Sequence, residues 1–483
     1  MGTSGLLTYI LLTPLAAFIA TLVIPGRHTL AIKVANAFFA FVGLVLSVVV
    51  FTQYDLAAGG YQLMQDVPWV DSFGIRYTVA VDGVGVVLVL LNAIVFFTGV
   101  LTMWTLTLRV KEYFAFMALL VFGVFGVFIS LDVFVFFFFY EVAVLPMYPL
   151  IAIWGSTKKE YSAMKLTLYL MVGSALLFPG LISLFVAGGS GSWNIEFLAA
   201  AIKNQPEFQV FVYPFVYVGF GILAGMWPFH GWSPTGHVAA PTAVSMLHAG
   251  VLMKLGAFGI LRIAIGILPH GAEIWAPLFA STATVGIVYG AFVAMRQNDF
   301  KYVIGFSSVS HMGIVLLGLN TLTPDGTSGA VFQMFAHGIM TALFFSAVGF
   351  IYDQTHDRDI RHFGGLSKQV PVAAAFFIVA SLCGMGVPGF ASFWAEFLVF
   401  LQALASWPVL GVAALIGLVF TALYALRVLG KAMFGPANPS WDHLKDATPW
   451  AMVPRVILIG VLVLFGFFPS WILDIIHTAT GNN

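Results

Sequence analysis

Three ionisable residues lie deep inside long apolar runs of this chain. Glu141 follows the run FVFFFFY, Lys254 lies within VSMLHAGVLMKLGAFGIL, and Glu396 lies within GVPGFASFWAEFLVFL. A charged group near the centre of a bilayer is costly unless it is paired, hydrated or neutralised. Buried carboxyl and amino groups can gain or lose a proton in response to a neighbour. The three residues therefore predict an ion or proton pathway.

Four histidines extend this set. His248, His311 and His337 lie in apolar stretches at LHAG, SHMG and FAHG, and His230 lies in PFHGW. Imidazole can relay protons near neutral pH, whereas the competing interpretation is a hydrogen bond between packed helices. The presence of three such histidines beside the buried charges favours the relay. A bis-histidine haem is disfavoured because the spacing selects no facing pair.

Two other motifs are better explained without a ligand. The stretch Gly384–Gly389 matches the dinucleotide pattern G-x-G-x-x-G, but no strand precedes it and its flanks are apolar enough to span a membrane. It is interpreted as a helix break around Pro388. The segment DQTHDRDIRHF, from 353 to 363, resembles a metal-binding cluster but is rich in basic residues, and we expect a solvated loop.

The composition indicates a membrane protein. The 483 residues are 60% hydrophobic and only 8% charged, and the mean hydropathy is +1.00. Twenty basic and twenty acidic residues cancel, which argues against nucleic acid as a partner. The single cysteine, Cys383, excludes internal disulfides and an iron–sulfur cluster ligated by this chain's cysteines alone.

Division of the apolar stretches at polar or Gly/Pro-rich breaks predicts about fourteen spanning helices. Their approximate spans are 6–24, 31–52, 80–106, 113–130, 132–154, 161–187, 208–227, 241–267, 273–295, 301–320, 329–352, 371–403, 409–434 and 450–473. Interrupted helices are predicted around Pro228, near 329–338 and around Pro388, since Gly and Pro disrupt helical hydrogen bonding. Broken helices in two halves of a chain are typical of inverted-repeat transporters.

The basic residues give the orientation. Sixteen of the twenty Lys and Arg residues fall on or beside alternate connections, and the other side holds only Arg76, Lys203 and Arg262. Short cytoplasmic loops collect Lys and Arg, so both termini are predicted to lie outside, on the periplasmic side. The N-terminal segment lacks the basic region of a signal peptide and is kept as the first helix. We expect the bacterial inner membrane or an equivalent energy-coupling membrane.

An ordered set of motifs covers nearly the whole chain: VDGVGVVLVLLNA, YEVAVLPMYPLIAIWGS, PFHGWSPTGHVAAPTAVSMLHAGVLMKLGAFGILR, RQNDFKYVIGFSSVSHMGIVLLGL, MFAHG and GVPGFASFWAEFLVF. With these motifs the chain resembles the antiporter-like membrane subunits of respiratory complex I, the NADH-quinone oxidoreductase. The likeness is greatest to subunit M, the counterpart of mitochondrial NADH dehydrogenase subunit 4. Glu396 favours the M type, because related subunits usually carry lysine at that position.

The resemblance implies an all-α polytopic fold of about 14 transmembrane helices, with antiporter-like inverted repeats and broken helices 7 and 12. Residues 1–483 would form a single membrane domain, with a first half at about 113–267, a second half at about 273–434 and flanking helices at both ends. Glu141, Lys254 and Glu396 would line a central polar axis, and His311 and His337 would connect them.

One position departs from the family pattern. The family carries a lysine in its seventh helix about 31 residues before the position of Lys254, and this chain has Leu223 there. The usual partner of Glu141 is therefore missing. The first half-channel is expected to be inactive, altered or served by His230 and His248.

The implied function is proton translocation within a redox-driven complex. FMN, iron–sulfur clusters and quinone are expected in partner subunits, and none of these cofactors in this chain. The partners would be other antiporter-like membrane subunits, the peripheral redox arm and membrane lipids. Three alternatives stay open at this point: a subunit of a cation/proton antiporter, a subunit of a membrane-bound hydrogenase, and a structural spacer with an impaired channel.

Overall fold

The computed structural model describes residues 5–481, and within them the chain is a bundle of apolar helices. The long membrane-spanning helices are α1 (Leu6–Val23), α2 (Thr29–Gln53), α3 (Gly83–Thr102), α4 (Val110–Ile129), α5 (Val133–Trp154) and α6 (Lys159–Ala187). After a short surface helix, α7 (Ile195–Ile202), come α8 (Pro206–Ala224), a short α9 (Trp232–Ala239), α10 (Thr242–Ile265), α11 (Pro269–Arg296), α12 (Phe300–Leu319) and α13 (Pro324–Thr355). The chain continues with α14 (Pro371–Gly384), α15 (Ala391–Ser406), α16 (Pro408–Met433), α17 (Pro449–Phe467) and a terminal α18 (Ser470–Thr480).

The described chain makes fourteen passes. Thirteen helices are each long and apolar enough to cross a membrane, and the two shorter helices α14 and α15 together make one further pass. This confirms the predicted helical architecture. The predicted final span, 450–473, was too long, because α17 ends at Phe467 and α18 is a separate helix.

One face of the bundle carries a β-hairpin that the sequence analysis did not predict. β1 (Gln62–Val70) pairs antiparallel with β2 (Ile75–Val81) in the polar stretch between α2 and α3. The hairpin is tied to the start of α5, because the Arg76 amide donates to Asp132 Oδ2 at 3.1 Å. Both described ends of the chain lie at this face: Gly5 lies beside Gln65, and the hydroxyls of Thr480 and Ser328 are 2.5 Å apart. We call this face the hairpin face. The opposite face is called the basic face, and it carries the connections 103–109, 155–158, 297–299 and 356–365.

Two of the three predicted helix breaks are present. α8 ends at Ala224, followed by Gly225 at φ +76°, before the segment containing Pro228 leads into α9. α14 and α15 are separated by 385–390, where Gly386 and Gly389 have positive φ. Only glycine adopts these backbone angles without strain.

The third predicted break, near 329–338, was wrong. α13 is continuous from Pro324 to Thr355. Its glycines have another use: a Cβ at Gly329 would lie 2.9 Å from Leu398 Cβ and 3.0 Å from the Val399 amide nitrogen. The glycine thus allows α15 to pack directly on α13, as small residues do between membrane helices.

The helices differ in how far they are enclosed. The most apolar stretches of α3, α10 and α13 are 94% buried and that of α12 is 89% buried, whereas α2, α6, α16 and α17 are only 28–33% buried. The enclosed helices form the centre of the bundle and the others face outward. Lys254, His248, His311 and His337 lie on these enclosed helices, and Glu396 lies on α15, which packs against α13.

Candidate functional site

Lys254 lies at the centre of α10 and is completely buried. The turn His248–Leu252 just before it is π-helical, a local widening that is often found at functional sites. Lys254 Nζ donates to the Ala249 carbonyl of this turn, five residues earlier, and to His337 Nδ1 on α13 at 2.8 Å. The ammonium group is therefore held by one backbone oxygen and one imidazole, with no carboxylate among its hydrogen-bond partners in the described chain.

His337 and His311 continue the chain from α13 to α12. Both imidazoles are buried, and their rings stack with centroids 5.2 Å apart and planes 17° apart. Because His337 Nδ1 accepts from Lys254, its hydrogen belongs on Nε2. No described protein atom accepts from that nitrogen, which in a buried site is a position for water.

Glu396 on α15 ends this row. Its Oε1 lies 3.4 Å from His311 Nε2 and accepts from Gln333 Nε2 at 3.1 Å. His311 Nδ1 lies 2.9 Å from the Ser307 carbonyl, and Nε2 also lies 3.2 Å from the Gly384 carbonyl. Both imidazole nitrogens thus face acceptors, an arrangement that an imidazolium satisfies fully. His311 and Glu396 are built to form an ion pair when the proton is on His311.

His248 stands on the basic-face side of Lys254. Neither of its ring nitrogens has a partner among the described protein atoms. Its ring lies 4.2 Å from that of His237 on α9, and His237 Nε2 lies 3.1 Å from the Ser233 hydroxyl. His248 is six residues from Lys254, about 9 Å of helical rise, so contact between them requires water.

Glu141 is not part of this row. It is half-buried on α5, and its Oε1 accepts from the Ser174 hydroxyl of α6 at 2.5 Å. Leu223 is fully buried near the end of α8. A Cβ on Gly256 would meet the Ala224 amide nitrogen at 2.5 Å, so α8 and α10 are in backbone contact next to Leu223. Position 223 therefore holds an apolar side chain in closely packed surroundings.

His230 also lies away from the row. It is 8% exposed, between α8 and α9, with its ring 5.0 Å from that of Tyr289. It lies within electrostatic range of Lys165, which is part of α6 and not of the preceding loop. No described contact joins His230 to Glu141, so the geometry offers no support for His230 as the substitute for the missing lysine.

Sequence reasoning missed two contributors to this site. Gln333 was overlooked because an amide in an apolar helix is a weak signal, yet it lies one turn from His337 and on the same face of α13. His237 was overlooked although it follows His230 by seven residues, close to two helical turns. Gln333 lies on the predicted helix 329–352, whereas His237 lies between the predicted spans 208–227 and 241–267, and only the packing shows what the two residues touch.

The loop after α13 holds no metal cluster among the described residues. His362 Nδ1 pairs with Asp357 Oδ2 at 2.6 Å, and Arg361 pairs with Asp359 Oδ2 at 2.6 Å. Hydrogen bonds from Arg361 lower the pKa of Asp359 to about 2. The acidic side chains of this loop thus pair with basic side chains of the same loop.

Comparison with known proteins defines the family. The family model for "NADH:quinone oxidoreductase/Mrp antiporter, TM" matches residues 130–421. This chain therefore belongs to the NADH:quinone oxidoreductase/Mrp antiporter transmembrane family. The matched region begins just before α5 and contains Glu141, Lys254 and Glu396.

Similar proteins span almost the whole chain. NADH-quinone oxidoreductase subunit M of Rickettsia typhi is 31% identical over 441 residues, which is 91% of this chain and 89% of that protein. A chain of respiratory complex I from Thermus thermophilus superposes with a TM-score of 0.90 at 25% identity, covering 98% of both chains. A chain of the Mrp complex from Dietzia superposes with a TM-score of 0.87 at 20% identity, covering 99% of this chain and 97% of that one, which shows a shared fold.

Proposed function

We propose that this chain is the M-type, proton-translocating membrane subunit of a redox-driven NADH-quinone oxidoreductase. The observation that carries the proposal is the row Lys254, His337, His311 and Glu396, in which neighbouring groups lie within a hydrogen bond, a ring stack or an ion pair. Three enclosed helices and one half-helix supply these groups. The row provides sites where a proton can rest and pass on without exposure to lipid.

The row works by electrostatic switching. Lys254 can pass a proton to His337 along the hydrogen bond between them. Transfer onward from His337 is favoured when His311 is neutral and can accept the proton. At an effective dielectric constant of about 20, unit charges 3.4 Å apart interact by roughly 5 kcal/mol. The Glu396 carboxylate, at that distance from His311, therefore stabilises the protonated form of His311. Protonation of Glu396 removes this stabilisation.

The row joins the two proposed halves of the chain. Each proposed half, about 113–267 and about 273–434, contains one interruption: α8/α9 in the first and α14/α15 in the second. Glu396 lies in the second turn of α15, and Gly386 within the second interruption faces its carboxylate. Lys254 belongs to the first half and His337 to the second, so their hydrogen bond is the link between the halves.

The orientation follows from the charges of the loops. The basic face is placed in the cytoplasm and the hairpin face outside, in a bacterial inner membrane or an equivalent energy-coupling membrane. Half-buried Glu141, beside exposed Phe138 and Leu145, is proposed to meet a neighbouring antiporter-like subunit laterally. FMN, iron–sulfur clusters and quinone belong to partner subunits of the peripheral arm and its membrane junction.

The test is the ratio of protons translocated to NADH oxidised in liposomes that contain the intact complex. Glu396→Gln and Lys254→Met should each lower this ratio by the same amount, because each interrupts the same row. Lys203→Met, on the hairpin-face surface, is the control and should leave the ratio unchanged. An unchanged ratio in both row variants, with the chain assembled, would rule out this pathway.

A further inference from the structure

The hairpin-face end of α10 carries an enclosed ion pair that the row from Lys254 to Glu396 does not use. Arg262 lies in a second π-helical turn of this helix, Ile260–Ile265, and its guanidinium pairs with Asp82 Oδ1. The side chain of Arg262 is 14% exposed and that of Asp82 is 6% exposed. Enclosing two charges in this way costs desolvation energy, and ionisable groups within membrane helices indicate a function by default.

The outer side of this ion pair is polar. Asp82 is fixed at the start of α3, where its Oδ1 accepts from the amides of Val84 and Gly85 at 3.1 and 2.9 Å and caps the helix. Arg262 also reaches Tyr61, just before the hairpin: an Nη1 to hydroxyl distance of 3.5 Å joins them, and the guanidinium carbon lies 5.5 Å from the centre of the ring. Because Tyr61 is only partly buried, polar groups connect Arg262 to the hairpin face.

The inner side of Arg262 is apolar. The guanidinium carbon lies 5.1 Å from the centre of the Phe258 ring, which is one turn closer to Lys254. The Phe258 ring stacks on Phe136 of α5 with centroids 6.0 Å apart and meets Phe128 of α4 edge-on at 5.3 Å. These three phenylalanines, 0–2% exposed, form what we call the aromatic layer. It separates the ion pair from Lys254 and contains no hydrogen-bonding side-chain group.

Lys254, Phe258 and Arg262 follow one another at intervals of four residues, so they lie along one face of α10. Arg262 is eight residues from Lys254, about 12 Å of helical rise. A proton that entered along this face from outside would meet Asp82 first, then the guanidinium and then the aromatic layer. At an effective dielectric constant of about 20, a unit charge about 12 Å away changes the probability that a proton reaches Lys254 by about tenfold.

We propose that Arg262 is the residue that keeps protons from leaking between Lys254 and the hairpin face. Its positive charge, held by Asp82 against the aromatic layer, repels protons on this side of Lys254. Arginine stays protonated at every working pH, so the barrier does not titrate away and Arg262 passes on no proton itself. Without Arg262, Asp82 is an unpaired carboxylate that can take up a proton and release it inward. The proposal goes beyond translocation and rests on the proposed function, since it takes Lys254 as a proton site.

The test is the passive leak of protons into liposomes that contain the intact complex. An internal pH-sensitive dye follows the leak after an acid jump, without NADH and with the membrane potential clamped by potassium and valinomycin. Arg262→Met removes the cation and should raise the leak about tenfold. Asp82→Asn keeps a helix-capping side chain and leaves the cation unpaired, so its leak should not exceed the parental one. A merely structural ion pair is broken in both variants, so equal increases in the two leaks would overturn the proposal.

Two control variants separate charge from packing. Arg262→Lys keeps the positive charge and should hold the leak near the parental value. Arg76→Met removes the exposed hairpin arginine that pairs with Asp66, and it should also leave the leak at the parental value. If Arg262→Met fails to assemble on a native gel, Asp82→Asn decides: a leak at or below the parental value supports the barrier, and a raised leak overturns it.

The leak must also run through Lys254. In Arg262→Met combined with Lys254→Met it should return to the parental level, and a leak that persists there would bypass the row and overturn the proposal. The proposed function is read separately, from the ratio of protons translocated to NADH oxidised in Lys254→Met alone. A lowered ratio there, with an unraised leak in Arg262→Met, would remove only the barrier. A parental ratio in Lys254→Met would remove the proposed function and the barrier with it.

Discussion

Gly386→Ala offers a sharp test of the ion pair at the end of the row. Gly386 has φ +67°, and a Cβ there would lie 2.6 Å from Glu396 Oε2, whereas ordinary contacts begin at 3.4 Å. The carboxylate must therefore retreat by about 0.8 Å. If the 3.4 Å contact with His311 lengthens by that amount, the attraction falls by about 0.9 kcal/mol at a dielectric constant of about 20.

This loss corresponds to about a fivefold change in the proton equilibrium between His311 and Glu396. We expect the initial rate of proton translocation by the reconstituted complex to fall about fivefold, with assembly maintained. The rate is measured by a pH-sensitive dye inside the liposomes at matched NADH oxidation.

Gly389→Ala is the matched control. Gly389 also has a positive φ, at +101°, but a Cβ there would meet only Phe467, at 3.8 Å. The Gly389→Ala variant therefore introduces the backbone strain of an alanine at positive φ without displacing Glu396. Equal rates in the two variants would show that strain, and not the position of the carboxylate, controls translocation. A second check is Glu396→Asp combined with Gly386→Ala, where the shorter side chain should relieve the overlap.

Three further predictions concern single positions. His337→Gln preserves an acceptor for Lys254 but cannot pass a proton on, so the translocation rate should fall at least tenfold while the assembled complex, measured by native gel, is unchanged. A Cβ at Gly256 would overlap the Phe220 carbonyl oxygen, so Gly256→Ala should lower the thermal stability markedly. A Cβ at Gly460 would have nothing within 4 Å, so Gly460→Ala should be neutral or stabilising by up to about 1 kcal/mol. Burial raises the pKa of Asp132 to about 6. The contribution of this carboxyl group to stability is present below its ordinary pKa and is lost as pH rises through 6. In Asp132→Asn the melting temperature should therefore change less between pH 4 and pH 6 than it does in the parent protein.

The sequence alone determined the class of protein and most of the helices. Apolar runs of about twenty residues can satisfy their backbone hydrogen bonds in lipid only as helices, so their number and order follow from composition. The helix breaks around Pro228 and Pro388 were also predictable from the sequence, because proline removes a helical hydrogen bond. The four groups of the row were also identifiable, because an ionisable residue in an apolar run is conspicuous.

Other features depended on which helices touch. The glycines of α13 suggested a break near 329–338, but they serve close packing against α15, which no local pattern reveals. Lys301 and Arg455 were counted among the basic residues on or beside the connections, but helix packing buries both, at 3% and 4% exposure. The hairpin at 62–81 was missed because its short alternating pattern is weak beside the helical signal.

The distances within the row were likewise set by tertiary structure alone. Lys254 and His337 are 83 residues apart, and His311 and Glu396 are 85 apart, so their contacts arise only when four separate helices pack together. Sequence reveals which groups can hold a proton, because that is a property of the side chain. It cannot show which group passes the proton to which, because that depends on ångström-scale separations fixed by long-range packing.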